Sequence, residues 1–150
     1  MDLDQVDIAI LRELQRDARL QNKELAGKVG VAPSTALERV RSLRRRGVLT
    51  GFHASVSLAA LGRPLSALLS IRARPHRADV LSEYLLEQPE TLSLLHLAGP
   101  DDYLVRVAVP DTEHLRRLIN ERLEARPEVL SVNTVLVFEA RDRAEQVPII

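Results

Sequence analysis

The sequence predicts an α+β protein in two parts, a helical N-terminal third and a ferredoxin-like βαββαβ remainder. Three observations predict it. Apolar residues recur at helical spacing three times before Gly47, the period then switches to alternation from Phe52, and beyond Pro64 the stretches read strand, helix, strand, strand, helix, strand.

Residues 4–16 form the first helix, capped by Asp4, with Val6, Ile10, Leu11 and Leu14 at helical spacing. In the next helix Leu25, Ala26 and Val29 share a face and Asn22 is placed to cap it. Gly30 supplies a C-terminal turn, and Pro33 suits the first position of a third helix whose buried stripe is Ala36, Leu37, Val40 and Leu43. GFHASVSL alternates Phe52, Ala54 and Val56 with His53, Ser55 and Ser57, so residues 51–63 read as a linker strand between a domain at 1–50 and another at 64–150.

In residues 65–74, Leu65, Ala67, Leu69, Ile71 and Ala73 fall on a face that must bury. Residues 77–88 place Val80, Leu81, Tyr84 and Leu85 at helical spacing and end at Pro89. Strands at 91–98 and 103–109 flank Gly99-Pro100-Asp101-Asp102, whose turn chemistry predicts a hairpin. Asp111 caps a helix carrying Leu115, Leu118, Ile119 and Leu123 and stopped at Pro127; the last strand, 129–139, alternates Leu130, Val132, Leu136 and Phe138 with Ser131, Asn133 and Glu139. Both helices of this plan lie on one face of the sheet, so apolar residues such as Leu95, Leu97 and Leu104 leave the other face to be covered by a second subunit.

The third helix presents Ser34, Thr35, Glu38, Arg39, Arg41 and Arg45 opposite its buried stripe, and Arg44 and Arg46 join them at its end. These are donors suited to base edges and phosphates. Five arginines opposed only by Glu38 repel one another unless an anion is near, and the helix pair has helix-turn-helix spacing, so the expected partner is double-stranded DNA. The charge distribution agrees: the chain is neutral overall, but residues 1–50 hold ten basic against seven acidic side chains.

Zero cysteines exclude a disulfide framework and a thiolate metal site, and fit a reducing cytosol. No apolar run approaches the ~20 residues of a membrane span, and MDLDQVDIAI lacks a basic signal-peptide start, so a cytoplasmic location is expected, with no membrane partner. His53, His76, His96 and His114 are too scattered for a metal motif and read as ordinary surface residues. No metal or other cofactor is called for.

LDQVDIAILRELQRDAR at 3–19, ELAGKVGVAPSTALERVRSLRRRGVLTGF at 24–52 and AGPDDYLVRVAVPD at 98–111 together resemble the Lrp/AsnC, or feast/famine, family of transcription regulators over roughly residues 2–141. The resemblance implies a winged helix-turn-helix, a linker strand and a C-terminal ligand-sensing domain. It also implies dimers that pair through their sheets and assemble further, often to octamers, and an amino acid or related small-molecule effector. The family's recognition helix maps onto Pro33, Ser34, Thr35, Glu38, Arg39, Arg41, Arg44, Arg45 and Arg46. Its effector loop maps onto Ala98, Gly99, Pro100, Asp101, Asp102 and Tyr103, with Thr134 near it. Three departures matter: Ala32 stands where a capping serine is common, Phe52 stands where tyrosine is common and loses its hydroxyl, and Pro100 offers no N–H to a ligand.

The reading is therefore a sequence-specific regulator answering to a small molecule, and not an enzyme. A ferredoxin-like fold elsewhere hosts catalysis, but fold carries no function and no acid/base pair or phosphate loop is evident. An architectural protein that wraps any DNA is the third class, separable by footprinting against salt.

Overall fold

The computed structural model describes residues 3–143 and 146, and the chain divides into two compact units. One holds the described residues up to Ser55 with 141–143 and Gln146; the other is Val56–Ala140.

The first unit is three helices, α1 Gln5–Arg16, α2 Asn22–Val29 and α3 Pro33–Arg45. Asp4 caps α1 by accepting from the amides of Val6 and Asp7. The cap of α2 is Gln21 rather than Asn22: the Glu24 carboxylate accepts from the Gln21 amide at 3.3 Å, while Asn22 Nδ2 reaches across to donate to the Pro33 carbonyl at 2.6 Å. Asn22 thus ties α2 to the first turn of α3. Between them Gly30 sits at φ 73°, a left-handed conformation that side chains resist. Ile10, Leu14, Leu25 and Leu43 form the core, with Val40 packed at its margin. Leu37, expected inside, is exposed, because a three-helix unit this small covers only part of the α3 stripe. After α3 the amides of Val48 and Leu49 both bond the Leu43 carbonyl, closing a turn where a wing would sit; no strand forms among the described residues of this unit.

The segment expected as a linker strand makes no ladder. Residues 51–57 are irregular and Leu58–Gly62 are turns, closed by the Arg63 amide on the Leu58 carbonyl at 2.8 Å. Alternation makes a two-faced ribbon, but a strand also needs a neighbour to bond, and the chain supplies none here.

The second unit runs β1 Leu65–Ala73, α4 Ala78–Glu87, β2 Thr91–His96, β3 Tyr103–Val109, α5 Thr112–Arg117 continuing as a π-helical turn Leu118–Leu123, and β4 Val129–Val137. All pairs are antiparallel in the order β2-β3-β1-β4, the ferredoxin-like plan. Ala67, Leu69 and Ile71 of β1 and Tyr103, Val105, Val107 and Val109 of β3 meet Leu81 and Leu85 of α4 and Leu115, Leu118 and Leu123 from the second helix. Val80, expected in this core, is exposed. A register shift at Arg72/Ala73 brings Val129 into the core and leaves Leu130 outside, reversing the start of the expected alternation. On the face away from the helices Leu95 lies beside Leu104, and Leu68 beside Val135.

Candidate functional site

The fold splits the arginines of α3 into different roles. Ser34, Glu38, Arg41 and Arg45 follow one another at i, i+4, i+7 and i+11, so they share an exposed face, and Thr35 adjoins it. Arg41 has no hydrogen-bond or ion-pair partner among the described residues. Arg45 meets Glu38 at 3.0 Å with both side chains mostly in water, a pairing that contributes little and is free to exchange for a phosphate. Arg44 lies 5.9 Å from the centre of the Phe52 ring.

Arg39 faces the other way. Its Nη1 bonds both Asp4 and Asp7, the latter at 3.0 Å, and Arg46 stands 3.6 Å from the second Asp7 oxygen. Asp7 is buried, and a buried carboxylate demands counter-charge. Hydrogen bonding from Arg39, with help from the Asp7 amide, holds the Asp4 carboxyl below the usual range, and the two aspartates raise Arg39 in turn. Asp7, Ser34, Thr35, Glu38, Arg39, Ser42 and Arg46 line a groove of about 530 Å³ with this pair in its wall. Within the chain, then, Arg39 joins α3 to α1, a contact that the sequence expectation of a base reader does not include. Sequence reasoning missed Asp7, yet the signal was present, since Asp7, Ile10 and Leu14 fall at i, i+3 and i+7, putting a charge in an apolar stripe.

At its N-terminus α3 has no side-chain cap, because its N-cap is Ala32. The first-turn amides of Ser34 and Thr35 thus keep their donors toward solvent, where a helix start favours anions. Pro33, exposed at the first position, contributes its carbonyl to Asn22.

The effector-loop residues are only partly brought together. Ala98, Gly99 and Pro100 are exposed, Asp101 and Asp102 half-buried. Asp102 is a strand-end anchor: its amide donates to the Ile71 carbonyl at 2.9 Å, its carbonyl accepts from Leu97 at 2.8 Å, and its Oδ2 accepts from the Ala73 amide at 2.7 Å. Tyr103 is buried and stacked on His96 with ring centres 4.9 Å apart, so its ring belongs to the core rather than a ligand pocket; burial raises its hydroxyl pKa. Thr134 pairs with Leu69 on the edge strand β4, separated from the β3 end of the loop by β1, so one chain does not unite Thr134 with the loop. Nor does Gly99 need to be glycine here: a Cβ there meets open space.

Among the described residues no three His, Cys, Asp or Glu are grouped to hold a metal, and no helix is long and apolar enough to cross a membrane. One histidine departs from the surface expectation: His114 Nε2 lies 2.7 Å from the buried Glu90 carboxylate.

Comparison with known proteins places both units. Residues 3–44 match the AsnC-type helix-turn-helix domain and residues 66–147 the Lrp/AsnC ligand binding domain. The chain is 38% identical to the HTH-type transcriptional regulator AldR of Mycolicibacterium smegmatis, over 92% of this chain and 82% of that one. It is 36% identical to the leucine-responsive regulatory protein of Escherichia coli K12, over 92% and 86%. Among solved structures, a transcriptional regulator of Neisseria meningitidis in complex with L-Met superposes with a TM-score of 0.90 at 27% identity, covering 98% of this chain and 97% of that one.

Proposed function

Because the chain belongs to the Lrp/AsnC family of DNA-binding transcriptional regulators, we propose that it recognises spaced half-sites on double-stranded DNA through α3 and answers to an amino acid. The observation that carries the reading is the exposed face of α3, where Ser34, Thr35, Glu38, Arg41 and Arg45 stand together and Arg41 has no partner among the described residues. Arg41 reaches base edges, Arg44, Arg45 and Arg46 hold phosphate, and Arg39 sets the pose of α3 against α1. The amides of Ser34 and Thr35 add a phosphate contact that needs no side chain.

An amino-acid effector is supported by the L-Met complex of the Neisseria meningitidis regulator. Here it rests on the loop from Ala98 to Asp102, where Oδ2 of Asp102 is taken by the Ala73 amide and Oδ1 is left for an ammonium. Pro100 contributes no donor, so the ligand carboxylate must be met by other amides. Two chains join through the open sheet face, where Leu95, Leu104, Leu68 and Val135 otherwise remain partly in water, and the dimers assemble further toward an octamer. The protein acts where its DNA lies, in the cytoplasm, and catalyses no reaction.

Footprinting on genomic fragments across a salt series, with and without each of the amino acids, tests this. Protection of half-sites about one helical turn or a multiple apart, altered by one amino acid, is expected. Uniform protection of any DNA would replace the reading with an architectural one, and an unaltered footprint would remove the effector.

A further inference from the structure

The loop from β1 into α4 gathers unmatched positive charge. Arg74 and Arg77 are exposed, and neither guanidinium has a hydrogen-bond or ion-pair partner among the described residues. The turn between them is tight: the Arg77 amide donates to the Arg74 carbonyl at 3.2 Å, and His76 holds φ 64°, a left-handed conformation uncommon for a residue with a side chain. Both arginines line one cleft of about 420 Å³ with Pro127 and Glu128, just ahead of β4. The Arg74 amide fixes that wall by donating to the Glu128 carbonyl at 2.8 Å.

The charges decide what the cleft takes. Glu128 is already answered: Arg126 holds it with Nε on one oxygen and Nη2 on the other, both at 3.0 Å, while lying 4.0 Å from the centre of the Tyr84 ring. A bond from its own amide and the Arg126 pair, with the charge of Arg77 added, keep its carboxyl below the usual range. Asp79, the acid nearest in sequence, does not line the cleft. Two guanidinium charges are therefore in surplus, and they repel a cation and draw an anion. The number of donors selects among anions. One carboxylate fills one guanidinium fork, whereas the three terminal oxygens of a phosphomonoester can engage both. The volume falls in the ~300–1,000 Å³ range of small-molecule sites and far exceeds a bare phosphate, so the phosphate carries an organic body. Duplex DNA fits less well, because residues 56–140 hold nine arginines against twelve carboxylates and the unit as a whole repels a large polyanion.

We propose that the cleft between Arg74 and Arg77 binds a small organic phosphate, both guanidiniums donating to the phosphate oxygens while the body of the ligand rests against Pro127. The site shares no residue with the Ala98–Asp102 loop and does not rest on the amino-acid reading above. It gives the chain an input of a second chemical class.

The test is calorimetric titration of the full chain with inorganic phosphate, glucose 6-phosphate, AMP and succinate, with mobility shifts on operator DNA in parallel. Glucose 6-phosphate or AMP is expected to bind more tightly than inorganic phosphate, which lacks a body, and than succinate, which lacks the phosphate, and its affinity should fall as salt rises. Arg74→Gln and Arg77→Gln should each weaken that binding roughly 5- to 30-fold, the loss of one charged contact in a cleft open to water. Both side chains are exposed, so the melting temperature and the ligand-free operator affinity should match the wild type. If none of the phosphates binds at millimolar concentration, or if both variants bind them as the wild type does, the site is overturned. Inorganic phosphate or succinate binding as tightly as the organic phosphates would overturn the choice of ligand. A loss of ligand-free operator affinity in the two variants, at unchanged melting temperature, would make the cleft a DNA contact and overturn the small-molecule site.

Discussion

Replacing Arg39 and Arg41 separately with alanine should give opposite phenotypes, although the two residues stand two apart on one helix. Arg41 is exposed and without a partner among the described residues, so its removal should change fold stability by no more than about 0.5 kcal/mol. As a base contact it supplies about 1–3 kcal/mol, and its loss should weaken operator binding about 5- to 150-fold per recognition helix. Arg39→Ala removes the 3.0 Å bond to Asp7 and leaves that buried carboxylate, among the described residues, with Arg46, 3.6 Å away. The consequence is structural: the first unit melts at lower temperature, and all DNA binding, specific or not, declines with the folded fraction. Adding Asp7→Asn to Arg39→Ala should recover part of the melting temperature, since no buried charge is then left unpaired. The assay is thermal unfolding by circular dichroism beside mobility shifts on operator and unrelated DNA. An Arg39→Ala protein of unchanged stability that loses operator affinity alone would refute the partition and restore Arg39 as a reader.

Asp102→Ala should destabilise the second unit by about 1–3 kcal/mol in urea unfolding, because the Ala73 amide loses its acceptor, whereas Asp102→Asn keeps one; equal stabilities would show that the strand-end bond contributes nothing. Leu43→Ala, at a position fully out of water, should cost about 2–5 kcal/mol, and an unchanged denaturation midpoint would contradict its place in the core. Burial pushes the Glu90 carboxyl up, but the bonds from His114 and Arg122 outweigh it and hold it below 4.5. A depressed native value means that its stabilisation is complete above the unfolded carboxyl's 4.5 and is lost as pH falls through the native value; Glu90→Gln should flatten this acid limb of the unfolding profile, and identical limbs would refute the linkage.

Much of the architecture was legible because it depends on local period. The α1 cap at Asp4, the turn at Gly30, the inward row Ala67, Leu69 and Ile71, and the hairpin around Gly99-Pro100-Asp101-Asp102 each follow from residues a few positions apart. The recognition-helix motif was legible for the same reason, since the spacing from Asn22 to Gly47 carries it. The linker was misread because alternation describes one strand, while a ladder requires a second. Leu130 was misplaced because a one-residue irregularity at the start of β4 turns Val129 inward while Val132 keeps its place against the core, and nothing in VLSVNTVLV announces it.

The sequence by itself determined the order of elements, the buried stripes and the concentration of arginine on α3, since these are set by the 3.6- and 2-residue periods of the backbone. Tertiary structure alone decided what each charge does. Arg39 and Arg41 are indistinguishable as letters, and only the approach of α1, 32 positions away at Asp7, turns one inward and leaves the other exposed. In the same way Arg77 and Glu128 meet in one cleft through packing between distant segments, and Asp102 becomes an anchor because β1 ends beside it. Long charged side chains choose partners by distance in space, and that distance is a property of the assembled core.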